Sequence, residues 1–177
     1  MITECPILVG TFERFSWIRC VGKGSFLTSP AMKAFGDDAI SNGERCLVVD
    51  LGACTGMDST FMGTLAGMAA RLSVVDGGTL QIADAGERNR RSLEDLGLDF
   101  LMEIDPPSAD WRGKVEEVRK SLKPPKNGVS AGNQARHVLE AHQVLSQANE
   151  SNARKFSTVV DLLEAELAEK QGATEGS

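Results

Sequence analysis

The chain has 177 residues, 41% hydrophobic and 25% charged, a globular composition with room for one packed domain and an appendage. Its 25 acidic residues outnumber the 19 basic ones for a net charge of −6, a field that repels a phosphate backbone and argues against nucleic-acid binding.

From the N-terminus, Met1–Gly10 has neither the basic region nor the apolar stretch of a secretory signal. Ile7–Phe12 and Phe15–Val21 are rich in β-branched and aromatic residues and flank Glu13-Arg14, which predicts a hairpin. Gly22-Lys23-Gly24 reads as a turn, since Leu27 stands where a dinucleotide fingerprint needs its third glycine. Thr28-Ser29-Pro30 supplies a hydroxyl cap and a first-turn proline for a helix to Ile40, with Met32, Phe35 and Ala39 on one face. Arg45–Leu51 is a short continuous apolar run bounded by Asn42-Gly43 and Gly52, the pattern of a central strand. Asp58 caps the next helix, whose stripe runs Phe61, Leu65, Met68, Leu72 and ends before Asp76-Gly77-Gly78. Leu80–Ala83 is a strand, Glu87–Leu96 a helix stopped by Gly97, and Phe100–Ile104 a last strand. This order predicts an α/β domain over residues 1–105, a mostly parallel, mixed sheet of about five strands with crossover helices.

Pro106-Pro107 marks the expected boundary. Trp111, Val115, Val118 and Leu122 are spaced for a short amphipathic helix stopped by Pro124-Pro125, and segment 106–130 carries a charge of +3 that suits docking on the acidic domain. After a linker at Lys126–Gly132, residues 131–170 form a long amphipathic tract with the stripe Val138, Ala141, Leu145, Ala148, Asn152, Phe156, Val159, Leu163, Leu167. As one helix, Ala131–Glu169 would extend about 58 Å, so it must break, near Asn149–Asn152, or find a partner. The stripe, with Leu145, Phe156, Val159 and Leu163 as its interface candidates, needs burial on its own domain, on a second copy, or on a target protein. Residues 171–177 are expected to be disordered.

Catalytic, metal and cofactor signals are weak. His137 and His142 are five apart on a helix, about 140° around its axis, and share no face for a metal. Cys5, Cys20, Cys46 and Cys54 form no C-x-x-C pair and read as free buried thiols, which with no signal and no apolar run of roughly 20 residues predicts a cytoplasmic protein. Asp50 ends a central strand as receiver-domain phosphoacceptors do, but the further carboxylates and the lysine of such sites are missing. No catalytic residue, metal site or cofactor is expected, and no enzyme.

The segment Val48-Val49-Asp50-Leu51-Gly52-Ala53-Cys54-Thr55-Gly56-Met57-Asp58-Ser59-Thr60-Phe61-Met62-Gly63-Thr64-Leu65 resembles the signature of STAS domains, found in anti-sigma factor antagonists and sulfate transporters. It has an apolar strand ending in aspartate, a small-residue loop, and an M/I-D-S-[ST] step into a helix. The resemblance covers residues 5–105 and implies a regulatory protein-binding module whose Ser59 matches a serine phosphorylated by a partner kinase, with Asp58 beside it. Its implied partners are a serine kinase that is also an anti-sigma factor, and a serine phosphatase. Bulky Phe61 departs from the small residues usual after that serine. The partner surface is expected at Asp58, Ser59, Thr60, Phe61 and Met62, with Ser59 exposed. The alternative is an accessory or scaffold STAS subunit, of a lipid-transport or stress complex, in which Asp58-Ser59-Thr60 is a plain cap.

Overall fold

The structure is a computed structural model that describes residues 6–126 and 134–175, with residues 134 and 170–175 through the backbone alone. Its strands are β1 (Ile7–Thr11), β2 (Ser16–Gly24), β3 (Cys46–Met57), β4 (Thr79–Ala83) and β5 (Glu103–Ile104), in the order β1-β2-β3-β4-β5. β1 and β2 form the expected antiparallel hairpin, and the remaining pairs are parallel. Helices α1 (Ser29–Ser41), α2 (Ser59–Ser73) and α3 (Gly86–Asp95) make the crossovers that parallel strands require.

Both faces of β3 are spent. Leu47, Val49 and Leu51 pack with Ile18 and Met32 against the stripe Phe61, Leu65, Met68, Leu72 of α2. Each of those four α2 side chains is at most 1% exposed, worth about 1.5–3 kcal/mol apiece. On the opposite face Val48 joins Phe15, Trp17, Ala83, Trp111 and Val118 in a second, smaller core. Trp111 meets Trp17 edge-on at 5.5 Å, and its Nε1 donates to Gln81 Oε1 at 2.7 Å. Packing therefore continues past Asp105 into the segment that follows it. Within this segment the helix α4 spans only Val115–Ser121, because Gly113, at φ +80°, turns the chain between Trp111 and Val115. Beyond it Lys123 bridges to Val9 of β1, N–H to carbonyl in both directions, at 2.7 and 3.0 Å.

Three other expectations are corrected. β3 does not stop at Leu51: it continues through the glycine-rich segment to Met57, paired with β2 across two register shifts. Gly22 and Gly24 accordingly lie within β2, not in a turn. The strand expected from Phe100 shrinks to Glu103–Ile104, since Gly97, at φ +70°, leads into a 3-10 turn at Leu98–Phe100 that leaves Phe100 88% exposed.

The C-terminal tract forms two helices, α5 (Gln134–Ala148) and α6 (Glu150–Glu175), packed side by side. The break falls at Asn149, whose Oδ1 accepts from Asn152 N at 2.8 Å and caps α6. Asn149 and Asn152 each donate a side-chain N–H to the Leu96 carbonyl, at 3.0 and 2.9 Å, pinning the hairpin to the end of α3. Leu145 and Phe156 enter the main core, whereas Val159 is 37% exposed and Leu163 half-buried. The segment expected to be disordered from Gln171 is helical as far as Glu175, and most of the expected linker, 127–132, lies outside the described residues.

Candidate functional site

Where β3 passes into α2, the Asp58 N–H donates to the Gly24 carbonyl at 2.8 Å, holding the junction against the end of β2. Its carboxylate then works in two directions. Oδ1 accepts from Phe61 N at 2.9 Å, the helix cap expected of it, and Oδ2 accepts from Phe26 N at 2.8 Å. The second bond, between residues 32 apart, ties the β2–α1 loop to the start of α2. That loop presents Phe26 and Leu27, 43% and 70% exposed, with the Phe26 backbone bound to the Asp58 carboxylate. Sequence reasoning missed both; two adjacent large apolar residues in a loop of Gly, Ser and Thr were the available signal.

Ser59 is the first residue of α2 and is half-buried, not exposed. Its Oγ lies 2.8 Å from His142 Nε2, while His142 Nδ1 lies 2.8 Å from the Val138 carbonyl. A carbonyl only accepts, so Nδ1 carries a proton, and in the neutral ring Nε2 accepts from the Ser59 hydroxyl. The physical reason for the cover is α5, which lies on α2. A Cβ built on Gly63 would stand 2.3 Å from the Ala141 carbonyl oxygen, so only glycine admits so close a helix. One turn on, Gly67 faces Val144.

Of the five residues expected at a partner surface, Thr60, Phe61 and Met62 are interior at 4%, 0% and 8% exposure. The Phe61 ring lies flat against Gly24, whose absent side chain makes the room. Only Asp58 and Ser59 stay near the surface. Both histidines pack, each against a hydroxyl of the domain. His137 Nε2 lies 2.7 Å from Ser29 Oγ and 3.4 Å from Thr64 Oγ1. Burial, and then Lys33, hold His137 below its ordinary pKa, against the opposing pull of Glu140, Asp37 and Asp58. A cavity of about 120 Å³ between α1, α2 and α5 is lined by His137, Thr64 and Gly67.

Asp50 belongs to a different place, on the sheet face under α4, and is 0% exposed. It accepts from Trp17 Nε1 at 3.2 Å, Arg19 Nη1 at 2.9 Å, Gly52 N at 2.9 Å, and Arg119 Nε and Nη2 at 2.8 and 2.9 Å. Burial pushes this carboxyl up, but the hydrogen bonds from Arg119, Gly52 and Arg19 outweigh it and hold its pKa below the ordinary value. Arg119 also reaches Asp84 at 3.2 Å, and a Cβ at Gly52 would stand 2.5 Å from Arg119 Nη2, so a side chain there would displace that guanidinium. Asp50 is thus a structural anchor for the basic segment. Among the described residues, no group of three His, Cys, Asp or Glu converges as a metal site, and Cys20, Cys46 and Cys54 are free thiols.

The sequence model of the STAS domain matches residues 7–110, well over half of the chain. The chain belongs to the STAS domain family. No curated protein sequence matches significantly. Among solved structures, the STAS fold of this chain resembles an anti-sigma factor antagonist from Mycobacterium paratuberculosis at 23% identity and a TM-score of 0.50, covering 64% of this chain and 92% of that one. It also resembles a putative anti-sigma factor antagonist from Thermotoga maritima, at 18% identity and a TM-score of 0.51, covering 63% and 92%. A third is the anti-sigma factor antagonist SpoIIAA in its unphosphorylated form, at 18% identity and a TM-score of 0.50, covering 64% and 97%. The STAS match ends at residue 110, so α4, α5 and α6 lie beyond it. Among the described residues no helix is long and apolar enough to cross a membrane.

Proposed function

We propose that this STAS protein is a non-enzymatic, cytoplasmic regulator of the anti-sigma factor antagonist type, switched by phosphorylation of Ser59. Its partners are a serine kinase that doubles as an anti-sigma factor, and a phosphatase that resets the serine. The observation that carries the reading is the two-way use of Asp58: one carboxylate caps α2 and holds the loop that exposes Phe26 and Leu27. Ser59 is thereby set at a helix start, where unpaired N–H groups and the dipole tolerate an anion, next to the residue that holds an apolar pair suited to a partner. Phosphate on Ser59 adds roughly −1.5 to −2 charges at that helix start and opposes close packing of a partner there.

A second reading, an accessory or scaffold subunit without a phosphoswitch, is favoured by the engagement of the Ser59 hydroxyl with His142. Pull-down from the native cytosol with Ser59→Ala and Ser59→Asp proteins separates the two. The switch reading expects Ser59→Ala to retain the partner and Ser59→Asp to lose ~10-fold or more in affinity, since an unpaired charge in an interface costs over a kcal/mol. Equal recovery by both variants, with no phosphate on Ser59 by peptide mapping, would leave the scaffold reading standing.

A further inference from the structure

The face assigned above to a partner already has an occupant. α5 lies across the first two turns of α2, and three contacts place it there. His142 Nε2 lies in hydrogen-bond reach of the Ser59 hydroxyl at 2.8 Å, the Ala141 backbone fills the notch over Gly63, and His137 reaches Ser29 and Thr64. The chemistry of this contact differs from that of the core. The stripe of α2 that meets the sheet is Phe61, Leu65, Met68, Leu72, whereas its α5 side offers Ser59, Gly63, Thr64 and Gly67. Hydroxyls and imidazoles that meet there find equivalent partners in water, so each bond adds little net stability. The apolar anchors of the hairpin are Leu145, one turn beyond His142, and Phe156, whose ring meets the His142 ring edge-on at 5.4 Å, so the docked end is held by one aromatic contact beside its polar bonds.

We propose that α5 is a tethered competitor for the partner face. While docked it closes Ser59, and the partner and the modifying enzymes act on the state in which α5 has left the start of α2. The proposal rests on the reading of Asp58 and Ser59 as the partner face, and it names how that face is regulated. The closed form is what the structure displays: Ser59 is half-buried and its hydroxyl is engaged by His142. Any partner that packs on Ser59 needs the volume that the His142 ring fills, and a second protein and α5 exclude each other there. The effective affinity of a partner is then reduced by the fraction of time that the face is open.

Gly63→Ala is the substitution that opens the face without touching the domain. The new methyl group would meet the Ala141 backbone oxygen at 2.3 Å, which a helix cannot yield by turning a side chain, while alanine favours α2 itself. The test uses the full-length chain with Ser59→Cys as a thiol probe, alkylated with iodoacetamide and read by peptide mass. The introduced thiol should react ~10-fold or more faster when Gly63→Ala is added, because undocking shifts a closed population to an open one. Alkylation at buried Cys54 should not change, which reports that the sheet is intact. Should Gly63→Ala fail to fold, His137→Ala with His142→Ala removes the same contacts without adding bulk, and the same acceleration is expected. Equal alkylation rates with and without the opening substitutions overturn the proposal. The two readings fail separately. Acceleration together with equal recovery by the Ser59→Ala and Ser59→Asp proteins keeps the gate and removes the phosphoswitch. No acceleration, with partner recovery that still distinguishes those variants, keeps the switch and removes the gate.

Discussion

Replacing Arg119 by alanine should damage the protein more than its position on a short surface helix suggests. Asp50 is 0% exposed and accepts five hydrogen bonds, two of them from Arg119. Arg119→Ala removes those two and one of two cations, leaving Arg19 as the remaining counter-charge among the described residues. Breaking a buried ion pair from one side costs about 3–5 kcal/mol. Because Arg19 stays and Arg119 is itself 21% exposed, the lower end applies, about 3 kcal/mol. For a chain of this size that lowers Tm by about 6–12 °C. The pH dependence has a definite sign. The folded chain holds Asp50 below its ordinary pKa of 3.8, so its contribution is fully present above that value and is lost as pH falls below it. Urea unfolding followed by circular dichroism should therefore show the cost of Arg119→Ala holding down to about pH 4 and shrinking as the pH is lowered further. A cost under about 1 kcal/mol at neutral pH, or one that does not change with acid, would refute the account of Asp50 as an ionised anchor.

Asp58→Ala should lose both the α2 cap and the tie to Phe26, costing about 1–2 kcal/mol, whereas Ser59→Ala gives up one hydrogen bond and costs about 1 kcal/mol or less; thermal melts rank the two. Trp111→Ala should cost about 3–5 kcal/mol and remove the near-ultraviolet circular dichroism of the paired indoles, since Trp111 is 1% exposed against Trp17. Docking of α5 favours neutral His137, so it is complete above the ordinary value of 6.5 and weakens as pH falls below it. Amide exchange in α5, corrected for intrinsic rate, should rise on acidification, and His137→Gln should flatten that response. Leu162→Asp, at a residue 66% exposed, should stay within about 0.5 kcal/mol, while Phe156→Asp, at 8%, should cost several; light scattering on both decides whether the exposed part of α6 joins copies.

Much of the domain was legible because its signals are local and strong. The apolar run at Cys46–Leu51, the α2 stripe from Phe61 and the Asp58 cap each state their role within a few residues, and the motif around Asp58-Ser59 agrees with them. What escaped depended on contacts between distant segments. β3 extends through Gly52, Ala53 and Gly56 because β2 lies beside it, a preference that small residues do not announce. The helix expected from Trp111 begins a turn later, at Val115, because apolar spacing ignores the left-handed backbone at Gly113. The burial of Thr60, Phe61 and Met62 follows from a helix that is lined on both sides, by the sheet and by α5. Gly63 and Gly67, four apart and off the apolar stripe, carried the hint of that second neighbour.

The bridge between Lys123 and Val9 has a consequence for how this molecule meets others. A sheet edge with free N–H and C=O groups is a template on which another chain can add a strand. Here the outer side of β1 is occupied by the protein's own backbone at Lys123, and Pro124 and Pro125 follow, which have no N–H to offer a further strand. The opposite edge, β5, has only two residues. Among the described residues, main-chain pairing is thus limited at both edges, by the Lys123 bridge at Val9 and by the shortness of β5, which favours binding through side chains on helices and loops.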